Sequence, residues 1–385
     1  MRIALFSDGI FPNVIGGIQK HSFYLAKHLV KLGIEVDVYF SEDTQATTSG
    51  RYSVLGCVED EKLNWIPVKR APQRNFPGHY LWDSYVTSAS LLQAYLHHRT
   101  ADFIYAQGLT GWSAVRARCN GSDLSLIGVN PHGLEIFQRA ADARALLENW
   151  MLRPAFGWLI RHADVALSLG GGGLAEIMKR LGVKAERIIE SPNGVGRHWL
   201  VSHVNVTTGP LRFVFIGRSE RRKGVKELNV VLSRLLDRYE FTCDFVGPTP
   251  ASQRLSHPAI TYWGVVREER RVQEILRSCH VLLCPSYSEG MPTVILEAMA
   301  SGLAIIATKV GAVDAMVSKE SGWLIPPGDV ESLERSMVEA IALPKADISE
   351  RGLVGRRRVE SMYTWDRVAE RTEHNIASMV GPGQT

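Results

Sequence analysis

Two glutamates with seven residues between them stand in Glu289-Gly290-Met291-Pro292-Thr293-Val294-Ile295-Leu296-Glu297-Ala298-Met299-Ala300. Pro292 suits the first turn of a helix, and Gly290 leaves the backbone amides ahead of it approachable. Glu297 then falls on an otherwise apolar helix face, where an unpaired carboxylate is costly, so such an acid is expected to be paired or functional. Glu289 lies just ahead of the helix, at the expected mouth of a ligand site. A second candidate is Gly217-Arg218-Ser219-Glu220-Arg221-Arg222-Lys223-Gly224. An Arg that can fork across two oxygens, a Lys that supplies a mobile point charge and a glycine opening a helix suit a diphosphate. The competing reading is a solvated basic turn. A third is the long turn Asp8-Gly9-Ile10-Phe11-Pro12-Asn13-Val14-Ile15-Gly16-Gly17 before a helix, where paired glycines let a ligand approach and the helix N-terminus attracts anions. The run Gly170-Gly171-Gly172-Gly173 looks superficially like a dinucleotide fingerprint, but that motif belongs to a first βαβ unit, and this run reads as a flexible turn.

Positioning such groups requires strand-to-helix turns, and the chain is rich in them. Short β-branched runs alternate with helix-length amphipathic segments, the pattern of parallel sheets with crossover helices. Strands are expected at Ile3–Ser7, Ile34–Phe40, Phe103–Ala106, Leu124–Asn130, Val165–Leu169 and Arg187–Ser191. Helices are expected near Ile18–Leu32, Gly111–Arg118, Ala141–His162 and Leu174–Leu181. From Arg197 to Pro210 the chain is polar without a sustained period and reads as a linker. It restarts at Leu211–Gly217 with a buried-strand pattern like that at Met1. Val225, Leu228, Leu232, Leu235, Leu236 and Tyr239 follow at helical spacing. Further strands are expected at Phe241–Val246, Val281–Cys284, Ala304–Ala307 and Trp323–Ile325, and the tail from Ser361 reads as a final helix. The expected division is residues 1–200, then 201–363, with a helix of about 364–380 packing back on the first domain. The fold class is α/β, two Rossmann-like parallel-sheet domains facing across a cleft.

These motifs, in this order, resemble the retaining nucleotide-sugar glycosyltransferases of the GT-B fold, in particular glycosyltransferase family 4. The two glutamates of E-G-M-P-T…L-E-A-M-A-S-G carry the likeness. With them come Gly16-Gly17, Pro131-His132-Gly133, Ser191-Pro192-Asn193-Gly194-Val195, Gly217-Arg218…Lys223-Gly224, Gly311-Ala312-Val313, Ser321–Asp329 and the helix opened by Trp365. The resemblance covers nearly the whole chain and is weakest at about residues 50–100. It implies that Arg218 and Lys223 hold the donor diphosphate, Glu297 the ribose hydroxyls and Glu289 the donor sugar. It implies His132 near that sugar from the opposite domain, and Gly16 and Gly17 near the phosphates or acceptor. Asn193, Gly217, Gly290, Met291, Pro292 and Thr293 would join the donor site, and the segment from Tyr262 to Val266 would offer backbone groups to the nucleobase. The family retains anomeric configuration, usually by front-face attack assisted by the leaving phosphate and without an essential divalent metal. No metal site or cofactor is expected here, and no D-x-D cluster follows a strand end. E-G-M-P-T resembles UDP-sugar users slightly more than GDP-mannose users.

The remaining bounds are broad. At 385 residues there is room for two cores, and 45% hydrophobic with 22% charged residues is globular. A net charge of +4 does not point to nucleic acid. Neither a signal peptide nor a membrane-spanning stretch is recognised, which predicts a cytoplasmic protein, soluble or peripheral. Cys57, Cys119, Cys243, Cys279 and Cys284 form no C-x-x-C pair and read as reduced core thiols. Asn149–Arg161 has the aromatic, aliphatic and basic composition of a surface-lying helix, interrupted at Pro154 and Gly157, and with the basic stretch Lys69–Arg74 suggests contact with an anionic membrane and a lipid-linked acceptor. The plain alternative is an ordinary core helix and a soluble acceptor. Two other classes compete with the enzyme: a non-catalytic partner that keeps the fold, and a sugar-nucleotide epimerase or nicotinamide oxidoreductase. The presence of Arg218, Lys223, Glu289 and His132 argues against the first; the lack of G-x-G-x-x-G in the first turn argues against an oxidoreductase.

Overall fold

A computed structural model describes residues 1–14, 16–42, 61–70, 76, 78–98, 100–202 and 209–381. Among these the chain builds two parallel sheets. The first contains β1 (Arg2–Ser7), β2 (Glu35–Glu42), β3 (Leu63–Lys69), β4 (Phe103–Gln107), β5 (Leu126–Asn130), β6 (Val165–Ser168) and β7 (Ile188–Glu190), in the order β3-β2-β1-β4-β5-β6-β7. The second contains β8 (Leu211–Ile216), β9 (Phe241–Val246), β10 (Ile260–Gly264), β11 (Val281–Cys284), β12 (Ala304–Thr308) and β13 (Gly322–Ile325), in the order β10-β9-β8-β11-β12-β13. Strands such as β1, β4 and β12 read as near-continuous apolar runs because helices cover both faces of a parallel sheet.

The crossovers in the first domain are α1 (Gly17–Lys31), α2 (His79–Leu96), α3 (Trp112–Cys119), α4 (Ala143–His162) and α5 (Gly172–Arg180). In the second they are α6 (Val225–Leu235), α7 (Glu269–Arg277), α8 (Thr293–Ala300) and α9 (Val313–Met316), and after β13 come α10 (Val330–Ala342) and α11 (Lys345–Met362). The chain then returns. Tyr363 O accepts from Val195 N and Val195 O from Trp365 N, and α12 (Trp365–Val380) lies on α1 with Trp365 stacked on Tyr24, ring centres 5.5 Å apart. Each sheet reverses its order once, between β1 and β4 and between β8 and β11. Ligands of open α/β sheets bind outside the carboxyl ends of the strands at such switch points.

Several elements differ from the sequence pattern. β3, β10, α2, α7, α9, α10 and α11 have no counterpart in it. β3 and β10 are edge strands, β3 with only Leu63 and Val68 buried and β10 with only Ile260, and most of α2 is partly exposed, so none of these three shows a clean period. α4 runs unbroken through Pro154 and Gly157. A proline removes the hydrogen bond to the carbonyl four residues back; here that is Trp150, exposed enough for water to serve it. Cys119 is exposed, whereas Cys243, Cys279 and Cys284 are buried free thiols. Cys57, most of the stretch Lys69–Arg74 and residues 203–208 of the linker lie outside the described residues.

Candidate active site

The two switch points face each other across a cleft of about 850 Å³. In the second domain, the turn after β8 is drawn against the β11–α8 turn at Gly224, whose φ is +71° and whose Cβ, were there one, would sit 2.0 Å from the Pro285 carbonyl oxygen. That close approach carries Lys223 Nζ to 2.6 Å from Glu289 Oε1. Ser286 Oγ donates to the same oxygen at 2.7 Å, and Arg222 stands 3.5 Å from the other. Glu289 is only 5% exposed. It belongs to the floor of the cleft rather than to its mouth, the position the sequence suggested, because the turn folds in over β11. Arg221 is held elsewhere, bidentate on Glu227 at 2.8 Å and over the Tyr287 ring, so it anchors the loop.

Arg222 and Lys223 line the cleft, but Arg218 does not. The Arg218 side chain is 71% exposed and paired with Glu220 at 2.9 Å. Of the two cations expected to clamp a diphosphate, the structure brings one into the cleft and adds Arg222, which in the sequence is one undistinguished member of a basic run.

α8 presents its N-terminus to the cleft through Gly290, Met291, Pro292 and Thr293, with Glu297 one turn on. Pro292 precedes the first helical residue. The Glu297 carboxylate has no hydrogen-bond or ion-pair partner among the described residues. Burial pushes its pKa up to about 7, against a small opposing pull from Lys20. An unpaired carboxylate at this cost waits for hydroxyl donors.

In the first domain, Gly17, Ile18 and Lys20 at the start of α1 line the cleft, so two helix N-termini point into it from opposite sides. Gly16 is the residue capping α1 and does not itself line the cleft. His132 follows β5 with φ +55°, a left-handed backbone unusual for a side-chain-bearing residue. Asn130 Oδ1 accepts from His132 N at 3.0 Å and supports this conformation. Gln107, at the end of β4, meets His132 Nε2. Burial, and to a lesser degree His21, hold the His132 ring well below the usual histidine range, so it is neutral.

The domains touch along the floor. A Cβ on Gly133 would lie 2.0 Å from Gly290 Cα, so only glycine lets these backbones meet. Gln138 Nε2 donates to the Glu289 carbonyl at 2.6 Å, and Asn193 Nδ2 donates to the Met291 carbonyl at 2.7 Å. Asn193 Oδ1 stays buried without a partner beside the cleft, an acceptor with nothing to accept from. Gly217 lines the cleft; Val266 does not, and packs instead against the core that joins the two domains. The first-domain wall adds Asp8, the first residue of the candidate turn before α1, and Tyr80, together with Glu135, Leu152 and Phe156, which were not expected as site residues. Burial raises the pKa of the Glu135 carboxyl; Glu289 adds to the shift, while Arg222 and Lys223 oppose it. Gln107 and Asp8 could have been found by one rule: both sit at or just past the ends of the strands flanking a switch point. Among the described residues no group of three or more His, Cys, Asp or Glu is arranged to hold a metal ion.

Two parallel-sheet domains meeting over cations, helix N-termini and an unpaired acid have the form of a glycosyltransferase of GT-B fold. Residues 15–197 match the model described as Glycosyltransferase Family 4, and residues 210–342 the model described as Glycosyl transferases group 1. Together these matches span most of the chain, which belongs to the glycosyltransferases of the family 4 type. It is 25% identical, over 97% of its length and 81% of the relative's, to a component of the phosphatidylinositol N-acetylglucosaminyltransferase of Arabidopsis thaliana. Its fold is similar to that of a sucrose-phosphate synthase from Thermosynechococcus elongatus, with TM-score 0.80, 20% identity and 98% of each chain covered. It is also similar to Anabaena HepE in complex with UDP-glucose, with TM-score 0.65, 15% identity, and 98% of this chain and 99% of that one covered.

Proposed function

We propose that the protein is a retaining, metal-independent hexosyltransferase that moves a sugar from a nucleotide diphosphate sugar, preferentially a UDP-sugar, to a hydroxyl acceptor in bacterial glycan or glycolipid synthesis. The observation that carries this reading is the second-domain wall, where Lys223, Arg222 and the α8 N-terminus converge on one part of the cleft. Transfer leaves negative charge on a departing diphosphate beside an oxocarbenium-like carbon. Fixed cations and helix dipoles aimed at that oxygen supply what a divalent metal supplies elsewhere. Glu297 takes the ribose hydroxyls, and Arg218 swings from Glu220 onto the diphosphate when the donor arrives. Glu289 and His132 meet the sugar from its two sides. In the front-face route the acceptor oxygen bonds to the anomeric carbon as the sugar–phosphate bond breaks, and the acceptor proton passes to the leaving phosphate oxygen. The complex of HepE with UDP-glucose, on the same fold, supports the choice of base.

The acceptor binds along Glu135, Tyr80, Leu152 and Phe156. We place the protein in the cytoplasm, with peripheral contact to the inner face of the membrane and a lipid-linked acceptor. α4 turns Leu146, Leu147, Trp150 and Met151 outward near that end of the cleft, and the Arabidopsis relative is named for a phosphatidylinositol acceptor. No helix among the described residues is long and apolar enough to cross a membrane. A thermal-shift screen against UDP-, GDP- and ADP-sugars tests the donor, because a ligand that binds only the folded state raises the melting point. Stabilisation by a GDP-sugar alone overturns the preference for UDP. Activity that vanishes in EDTA and returns with Mg²⁺ overturns metal independence, and an inverted product anomer overturns retention.

A further inference from the structure

Gln107 ends β4 with its side chain buried, and a buried amide has to place both its hydrogens and its oxygen. Its Nε2 lies 3.0 Å from Ser22 Oγ and 3.0 Å from His21 Nδ1, while its Oε1 meets His132 Nε2. Ser22 has one hydroxyl hydrogen and two acceptors for it, the Ile18 carbonyl at 2.9 Å and Ser7 Oγ at 3.2 Å. Ser22 therefore receives from Gln107. This commits the nitrogen end of the amide to α1 and turns its oxygen toward His132. A carbonyl oxygen only accepts, so the hydrogen of the neutral His132 ring is on Nε2.

We infer that Gln107 is a positioning residue that holds His132 in its Nε2–H tautomer and leaves Nδ1 as the ring's one lone pair, available to a hydroxyl of the donor sugar. The inference rests on the reading that His132 meets that sugar. An amide achieves this without charging the ring, whereas a carboxylate in its place would stabilise an imidazolium, next to a carbon that becomes positive during transfer. The titratable group facing the ring from α1 is His21, with ring centres 5.2 Å apart. Glu289 meets this part of the first domain with its backbone, its carboxylate being turned to Lys223. The left-handed backbone of His132 and its bond to Asn130 fix where the ring starts; Gln107 fixes which nitrogen carries the hydrogen.

The test is long-range ¹H–¹⁵N NMR of the free protein at pH 7 with ¹⁵N-histidine, the His132 signals being those lost in His132→Asn. No donor is present, so a wrong donor assignment leaves this experiment intact. The expected wild-type result is a pyrrole-type nitrogen at Nε2 and a pyridine-type nitrogen at Nδ1. Gln107→Leu is expected to give shifts averaged between tautomers, and Gln107→Glu two pyrrole-type nitrogens. Averaged shifts in the wild type, a pyridine-type Nε2, or a folded Gln107→Leu with the wild-type spectrum each overturn the inference. If Gln107→Leu does not fold, the wild-type spectrum and Gln107→Glu decide: a neutral ring in the latter counts against it.

Discussion

The two walls of the cleft hold their polar groups in different ways. On the second-domain wall the groups are ionic and bind one another: Lys223 and Arg222 share Glu289, while Arg218, outside the cleft lining, is tied to Glu220. On the first-domain wall the central groups are neutral and joined by directional hydrogen bonds, from Ser22 and His21 through Gln107 to His132. The ionic wall can exchange partners when a diphosphate arrives, with little change in the number of charges it satisfies. The neutral wall cannot exchange anything without losing an oriented bond. One side is built to receive charge, the other to fix direction.

Breaking the ionic wall has the largest expected effect. Lys223→Ala should lower kcat/KM by about 3–4 kcal/mol, a factor of roughly a hundred or more, as removal of an electrostatic donor does. Part of this loss comes from leaving Glu289 buried with only the more distant Arg222 as a cation partner. Lys223→Ala combined with Glu289→Gln should therefore cost less than the sum of the two single changes. Arg218→Ala should cost less than Lys223→Ala, because its guanidinium is solvated and has to leave Glu220 before it reaches the donor. Steady-state kinetics on the four variants checks the order; equal losses at Arg218 and Lys223 would show that both cations are equally engaged in the transition state.

The unpaired acid on the ionic wall sharpens the comparison through pH. Burial raises the Glu297 pKa to about 7 from the ordinary 4.5. Between those values the folded state binds more protons than the unfolded one, so stability falls as pH rises through this window. Above it the ionised carboxylate costs on the order of 3 kcal/mol. Glu297→Gln should thus raise the melting temperature at pH 8 and leave it unchanged at pH 4, while weakening donor binding. A lower melting point at pH 8 would mean that the carboxylate has found a partner and is not waiting for one.

How much of this could be read from residues alone depends on which wall is considered. The ionic wall was largely legible, because its groups are contiguous: E-G-M-P-T and G-R…K-G each place their chemistry within one strand-to-helix turn. The choice between Arg218 and Arg222 was not legible. It depends on which way a turn folds over Pro285, and Gly224 decides that only in three dimensions. The neutral wall was legible only at His132. Gln107, His21 and Ser22 come from the end of β4 and the first turns of α1, and nothing in their local sequence distinguishes a buried network from ordinary packing. The sheets were predictable where strands are buried on both faces. They were missed at the edge strands β3 and β10 and at α2 and α11, where half-exposed surfaces blur the period, and α7, α9 and α10 were not read either.

The smallest expected effect concerns the outer rim of the neutral wall, where α4 meets solvent. Leu147 and Trp150 are 61% and 68% exposed, and Leu146 and Met151 more than half. Ordinary surfaces scatter such residues singly, whereas these sit one turn apart on a helix whose inner residues Leu152 and Phe156 line the cleft. Arg144 stands at the same end, but Glu148 pairs with it at 2.9 Å, so the patch offers area more than charge. Binding should accordingly be weak and reversible, dominated by apolar burial at roughly 25 cal/mol per Å², with any basic neighbour adding about 1 kcal/mol near anionic lipid. Co-sedimentation with phosphatidylglycerol vesicles at low salt should pull down part of the wild-type protein. The Leu147→Ser, Trp150→Ser double variant should stay in the supernatant with its melting point little changed, since both side chains are already mostly in water. Wild-type protein that remains entirely in the supernatant would return the rim to the status of plain surface and make the acceptor a soluble molecule. Loss of binding only when salt is raised, with the double variant still bound, would instead assign the contact to charge and move it off α4.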